Sequence, residues 1–124
     1  MPIRDVLGTR HVLAVNDLAV ATEYFLSVLG FERDFSIDGW EFLSFGDFQL
    51  MLGECPDDIP ASETFNHSYF AHILVADADA IYSEFERNGA SFSSEISDKP
   101  WGLREFGVVT PEGHRMIFGH EIEV

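Results

Sequence analysis

The chain contains one pattern of residues twice, and this repeat constrains the fold more than any single residue does. Residues 10–53 contain a Val-x-Asp turn, an apolar helix-like stretch, a Leu-Gly-Phe step and two short apolar runs around Gly46-Asp47. Residues 70–121 repeat this order, with two runs around Pro111-Glu112-Gly113. A unit of this size cannot bury its apolar face alone, so we expect the two copies to share a core and to leave a cleft between them.

Each copy predicts a strand, a helix and three further strands, which makes an α+β fold of two βαβββ modules. Asn16 or Asp17 is suited to cap the first helix and Asp77 the second, because these side chains accept hydrogen bonds from the free backbone N–H groups of a first turn. Gly30 and Gly89 are suited to end them. We expect one domain over residues 1–124, with module one at about 10–53, a linker at about 54–68 and module two at about 69–121.

The composition is strongly acidic, with 22 Asp and Glu against 7 Lys and Arg and a formal net charge of -15. Such a field repels nucleic acid and anionic membranes and attracts cations. It is explained equally by a generally acidic surface and by a binding site for a cationic ligand. The charge count does not separate these interpretations, because it does not say where the carboxylates point.

Two further features bear on the compartment. No apolar run approaches the roughly 20 residues that cross a bilayer, and a single cysteine, Cys55, excludes an internal disulfide. We therefore expect a soluble cytoplasmic protein. Cys55 has no activating cation beside it in the sequence, so we do not expect it to act as a nucleophile.

Alternation along the predicted strands separates two faces. The face expected to pack the helices holds Leu43, Leu50, Leu52, Ile73, Val75, Met116 and Phe118. The other is more aromatic and holds Trp40, Phe42, Ser44, Met51, Phe70, His72 and Ile117, with Arg104 and Phe106 beside them. These aromatic residues either fill core or bind a ligand. A tryptophan exposed in the loop Pro100-Trp101-Gly102 is a stronger ligand candidate.

The motifs Val15-x-Asp17, Leu29-Gly30-Phe31, Arg104-Glu105-Phe106 and Thr110-Pro111-Glu112-Gly113 resemble the vicinal oxygen chelate superfamily, and within it the bleomycin-resistance proteins. The resemblance covers essentially the whole chain, although Thr110 replaces the aspartate usual before the turn. It implies βαβββ modules whose curved sheets enclose a cleft, often completed by a dimer. It does not choose among isomerases, dioxygenases, thiol transferases and drug-binding proteins.

The resemblance also locates the metal ligands of metal-dependent relatives, and here those positions hold Arg10, Met51, Phe70 and Ile117. These side chains do not form a cage for a divalent ion. His11 is one residue out of register and is expected to point toward the helix. His72 is on the cleft face but two residues away, so we expect a hydrogen-bonded histidine rather than a ligand. We predict no metal, no other cofactor and no catalytic residue.

Three functions remain open. The first is a non-catalytic, homodimeric protein that binds a small aromatic, possibly cationic molecule as antibiotic-resistance proteins do, through Trp40, Phe42, Met51, Phe70, His72, Trp101, Arg104, Phe106 and Ile117. The second is a metal-dependent lyase, isomerase or dioxygenase whose ligands lie in another register. The third is a structural protein without a ligand, whose cleft would be filled by side chains. The residues favour the first.

Overall fold

The structure is a computed structural model that describes residues 3–122, apart from the side chains of residues 66 and 67. Its elements, in chain order, are β1 (His11–Val15), α1 (Leu18–Ser27), β2 (Glu32–Ile37), β3 (Trp40–Phe45), β4 (Phe48–Glu54), β5 (Tyr69–Leu74), α2 (Ala78–Arg87), β6 (Ser91–Asp98), β7 (Leu103–Val109) and β8 (Arg115–Glu121). Two short 3-10 turns, Ala61–Glu63 and Phe65–Ser68, lie between β4 and β5. The order strand, helix, strand, strand, strand occurs twice.

Each module forms its own four-stranded sheet, in the order β1-β4-β3-β2 for the first and β5-β8-β7-β6 for the second. The first strand of each module pairs in parallel with the last, and the other neighbours are antiparallel. Since each helix connects the two edge strands of its own sheet, it crosses one face of that sheet. The predicted α+β fold of two βαβββ modules is confirmed.

Both helices begin where the sequence predicts. The Asp17 side chain accepts a hydrogen bond from the Val20 N–H at 3.1 Å, and the Asp77 side chain accepts one from the Ala80 N–H at the same distance. These bonds satisfy donors that have no partner inside the helix. Gly30, at φ +74°, follows α1 in the left-handed conformation that glycine adopts without strain.

One hydrophobic core joins the two modules. The ring of Phe118 in β8 stacks on Phe106 at 5.6 Å and meets Phe85 of α2 at 5.2 Å. Phe45 of the first module packs on the same Phe118 ring at 5.6 Å. The predicted helix-side residues are buried in or packed against this core, namely Leu43, Leu50, Leu52, Ile73, Val75, Met116 and Phe118.

Polar contacts also fix the modules to each other. The Glu112 carboxylate, in the turn before β8, accepts hydrogen bonds from the backbone N–H groups of Asn16 at 2.6 Å and Asp17 at 2.9 Å. The Tyr24 hydroxyl of α1 donates to the carbonyl of Val109. Since these contacts and the aromatic core lie on the helix side of the sheets, the opposite sheet faces point away from the joint between modules.

Candidate functional site

The first sheet carries an exposed aromatic face on the side away from α1, which we call the first open face. It is made by Val12, Phe35, Ile37, Trp40, Phe42 and Met51. Register brings these side chains together, because Phe42 lies opposite both Met51 and Phe35, and the Phe35 and Phe42 rings are 5.7 Å apart. Val12 is 59 % exposed and Phe35 54 % exposed. The structure thus brings Trp40, Phe42 and Met51 together on one face.

Two local features shape this face. Trp40 lies opposite Gly53, and a Cβ at Gly53 would come within 2.8 Å of the indole ring, so the missing side chain lets the indole lie across the sheet. The Arg10 guanidinium lies over the Phe42 ring at 5.7 Å. Arg10, Phe35 and Phe42 line a surface pocket of about 520 Å³, together with Asp34, Leu43 and Gln49. A pocket of this volume lies within the usual range for small organic ligands.

The second sheet has a corresponding but more polar face on the side away from α2, the second open face, which holds Tyr69, His72, Glu105, Arg115 and Ile117. The His72 ring is hydrogen-bonded through Nε2 to Oε2 of Glu105 at 3.0 Å. The Glu105 side chain is 7 % exposed and that of His72 42 %. The predicted hydrogen-bonded histidine is therefore present, and its partner is a carboxylate that the sequence did not single out.

A bulge in β5 changes which aromatic residue faces outward. Tyr69 pairs with Arg115, but the next pair is Ala71 with Met116, so β5 has one residue more than β8 at this point. The Arg115 guanidinium lies over the Tyr69 ring at 5.2 Å. The Phe70 ring instead packs against the core, 6.1 Å from the His114 ring. The expectation that Phe70 contacts a ligand on the open face is corrected, since the extra residue reverses the alternation of side chains.

Arg104 and Phe106 also lie on the opposite side of β7 from the one predicted. Arg104 forms ion pairs with Asp79 of α2 at 2.9 Å and with Asp98 at 3.0 Å, and Phe106 is 1 % exposed within the core. The residue between them, Glu105, faces outward to His72. Each of the two faces of this strand contains a charged residue, so the hydrophobic pattern does not show which face is turned toward the helix. The acidic partners on the helix side stabilise Arg104 there.

Trp101 remains exposed, as the sequence predicts. It lies in a turn closed by a hydrogen bond from the Gly102 N–H to the Lys99 carbonyl at 3.0 Å, and 63 % of its surface is accessible. Gly102 has φ +88°, the conformation that makes such a turn favourable for glycine.

The four positions that hold a metal in metal-dependent relatives do not fit a divalent ion here. Arg10, Met51 and Ile117 lie on the open faces and Phe70 lies in the bulge, and these side chains offer no carboxylate or imidazole. His11 pairs with Leu50 and lies on the helix side, 4.8 Å from the Phe48 ring, as its register predicts.

Among the side chains that the structure describes, Asp77, Asp79 and His120 come close enough together to contact one ion. They lie at the start of α2, away from both open faces. Nδ1 of His120 accepts a hydrogen bond from the Ala78 N–H at 2.8 Å, and the Asp79 carboxylate is held by Arg104. These groups are engaged in starting the helix and in an ion pair, so the geometry gives them a structural role.

His114, a buried residue directly before β8, is expected to make the free energy of unfolding depend on pH. Burial, the larger effect, lowers the pKa of His114 from its ordinary value of 6.5. The unfolded chain therefore binds a proton at a higher pH than the folded chain does. We expect the free energy of unfolding to fall as the pH drops below about 6.5 and to stop falling, for this group, below the folded pKa. Denaturant unfolding measured from pH 7.5 to 5 gives the free energy of unfolding at each pH. This free energy should change less with pH in His114→Gln than in the wild type. An equal change in both proteins would show that His114 does not cause the dependence.

Comparison with known proteins agrees with this geometry. The sequence pattern of the Glyoxalase/Bleomycin resistance protein/Dioxygenase superfamily matches residues 8–118. The chain therefore belongs to this superfamily, whose fold is the vicinal oxygen chelate fold. No curated protein sequence matches the chain. Within residues 3–122, no helix is long and apolar enough to cross a membrane.

Three solved structures illustrate the similarity. A glyoxalase/bleomycin resistance protein/dioxygenase from Alicyclobacillus acidocaldarius superposes with a TM-score of 0.80 at 18% identity, over 94% of this chain and 92% of that one. The bleomycin-binding protein of Streptomyces verticillus, complexed with copper(II)-bleomycin, superposes with a TM-score of 0.72 at 24% identity, over 98% of this chain and 100% of that one. TnmS3, an antibiotic binding protein from Streptomyces sp. CB03234, superposes with a TM-score of 0.75 at 18% identity, over 97% of this chain and 99% of that one. At these identities the likeness shows the fold.

Proposed function

We propose that this protein is a non-catalytic binder of a small aromatic molecule, which it sequesters in the manner of an antibiotic-resistance protein in the cytoplasm. The observation that carries the proposal is the first open face, where Phe35, Trp40 and Phe42 lie side by side and remain accessible to solvent. Single apolar side chains are common on the surface of a soluble protein. A contiguous patch of exposed aromatic side chains is uncommon there and is characteristic of a binding surface. The antibiotic-binding relatives with the same fold support it.

The face is suited to a planar ligand for physical reasons. Aromatic rings attract one another in offset-stacked or edge-to-face arrangements, worth about 0.5–1.5 kcal/mol for each pair beyond the burial of apolar area. The six-membered ring of Trp40 lies close to Gly53, so the indole covers this part of the sheet. Sequestration breaks no covalent bond of the ligand and therefore needs no catalytic metal. This agrees with the residues at the metal-ligand positions of relatives, which are Arg10, Met51, Phe70 and Ile117.

We further propose that the ligand groove is completed by a second copy of the chain. In one chain, both open faces lie on the outer sides of their sheets, and the helix sides form the shared core. Val12 and Phe35 are consequently more than half exposed. A homodimer that places the first open face of one chain opposite the second open face of its partner encloses a ligand between an aromatic wall and a polar wall.

A thermal-shift screen of the wild type tests the function. Bleomycin, with and without copper, and a set of planar aromatic antibiotics are added at increasing concentration. A ligand at a hundredfold excess over its dissociation constant should stabilise the folded state by about 2.7 kcal/mol. Metal analysis of the protein purified without chelator separates this function from that of a metal-dependent lyase, isomerase or dioxygenase. Stoichiometric metal that survives dialysis would contradict the binder, and a screen without any stabilising compound would favour a structural role.

A further inference from the structure

Four of the six arginines make a defined side-chain contact with a carboxylate or an aromatic ring, in a chain with a formal charge of -15. Arg33 and Arg104 are tied to carboxylates, the first to Glu41 at 2.7 Å and the second to Asp79 and Asp98. Arg10 and Arg115 lie instead over aromatic rings of the two open faces. Among the described residues, neither of these two has a carboxylate at ion-pair distance. Within residues 3–122, Arg4 and Arg87 also lack such a partner, but only Arg10 and Arg115 lie over aromatic rings of the proposed binding faces, and this position calls for a functional explanation.

The site around Arg115 is the better formed of the two. Arg10 shares its pocket with the Asp34 carboxylate, which reduces the positive potential there. Arg115 lies over Tyr69, and the pKa of Tyr69 is lowered first by the Ser93 hydroxyl and then by Arg115. A phenol with a lowered pKa indicates that its surroundings stabilise negative charge on its oxygen.

A glycine makes room for the hydroxyl groups at this site. Gly107 lies opposite Ile117 on the second open face, and a Cβ added to it would collide with the Ser93 hydroxyl and approach that of Ser94 to 2.9 Å. The lack of a side chain at Gly107 therefore allows both hydroxyls to lie over the sheet. Hydroxyl donors beside a guanidinium are the groups that bind carboxylate, sulfonate or phosphate oxygens.

Neither Glu105 nor Glu121, the two glutamates that β7 and β8 place on this face, cancels the positive site. The Glu105 carboxylate is buried and bonded to His72. Glu121 is at the other end of β8, six residues from Arg115, which is about 20 Å at the rise of a strand. Salt screens charges beyond about 8 Å at physiological ionic strength. Glu121 is thus screened from the Arg115 site, and the groups nearest to Arg115 decide which charge is bound there despite the net charge of -15.

We propose that Arg115, Tyr69 and Ser93 bind an anionic group of the ligand, so that the molecule held by this protein is a planar aromatic acid rather than an aromatic cation. The inference rests on the proposed function, because the aromatic part of the same ligand stacks on the first open face. The acidic group then meets the polar wall of the groove. This assignment reverses the ligand charge that the net charge alone favours.

Three probes with one ring system test it: 2-naphthoate, 2-naphthalenemethanol and 2-naphthylmethylammonium, each titrated by calorimetry at constant ionic strength. The wild type should bind naphthoate at least about tenfold more tightly than the ammonium, because hydrogen bonds to charged groups are the stronger ones. Arg115→Gln should weaken naphthoate about ten- to a hundredfold and leave the alcohol unchanged. Tyr69→Phe removes one hydroxyl and should weaken naphthoate by a smaller factor.

Arg87→Gln provides the control, because it removes the same charge from the exposed last turn of α2. It should leave all three affinities as in the wild type. Tighter binding of the ammonium, or an unchanged naphthoate affinity in folded Arg115→Gln, would overturn the anion site. Equal binding of all three probes would also overturn the anion site, but it would still agree with the proposed aromatic site. Failure of every probe to bind would contradict the proposed function and this inference together.

Discussion

Phe106→Ala should lower the free energy of unfolding by about 3–5 kcal/mol, the usual cost of removing a fully buried phenylalanine. Phe106 is 1 % exposed and stacks on Phe118 with an angle of 13° between the rings. The edges of Phe85 and Phe92 meet it at 6.0 and 5.8 Å. The substitution leaves a cavity among Phe85, Phe92 and Phe118, and two of these rings, Phe85 and Phe118, also pack on Phe45 of the first module. Equilibrium unfolding in urea measures the loss.

Phe35→Ala is the matched control, since it removes the same side chain from the first open face. Phe35 is 54 % exposed, so we expect its loss to cost less than about 1 kcal/mol of stability. If the two variants were equally stable and Phe106→Ala abolished ligand binding instead, β7 would face the other way and the sequence-based assignment of Phe106 would be correct.

The repeat was sufficient to predict most of the architecture. Asp17 and Asp77 mark the starts of both helices, because a side-chain cap is a local feature that depends on a few neighbouring residues. Alternation predicted the faces of β3 and β4, where Leu43 and Leu50 on one side are aliphatic and Trp40 and Phe42 on the other are aromatic. It also separated His11 from His72, which lie on opposite types of face.

The second module was less predictable at two points. The bulge in β5 depends on one unpaired residue between Tyr69 and Ala71, and both Tyr69 and Phe70 are aromatic, so the composition of the strand does not reveal it. The face that Arg104 of β7 occupies depends on Asp79, 25 residues away in α2, and on Asp98, six residues away in β6. Such contacts between elements determine the face of a strand whose own pattern is ambiguous.

Trp40→Ala should have the largest effect on ligand binding. Buried aromatic residues at the centre of an interface typically contribute about 2–4 kcal/mol, which corresponds to a loss of affinity of about thirtyfold to a thousandfold. Trp40 is the largest side chain of the first open face and lies at the start of β3, opposite Gly53 and Ile37. We expect calorimetric titration with any aromatic ligand found in the thermal-shift screen to show this loss. Trp101→Ala is the comparison for a tryptophan outside the sheet, and a larger loss there than at Trp40 would place the ligand against the Lys99–Gly102 turn.

In the proposed dimer, the first open face of one chain and the second open face of another form the ligand groove. This arrangement is tested most directly by mixing two variants that each fail to bind, Trp40→Ala on the first face and Ile117→Arg on the second. When equal amounts of the two variants are refolded together, half of the dimers should contain one chain of each variant. Each mixed dimer should have one groove whose two faces carry neither substitution. We predict that the mixture recovers about a quarter of the wild-type number of sites per chain, at wild-type affinity. A mixture that recovers no sites would contradict a groove shared between two chains.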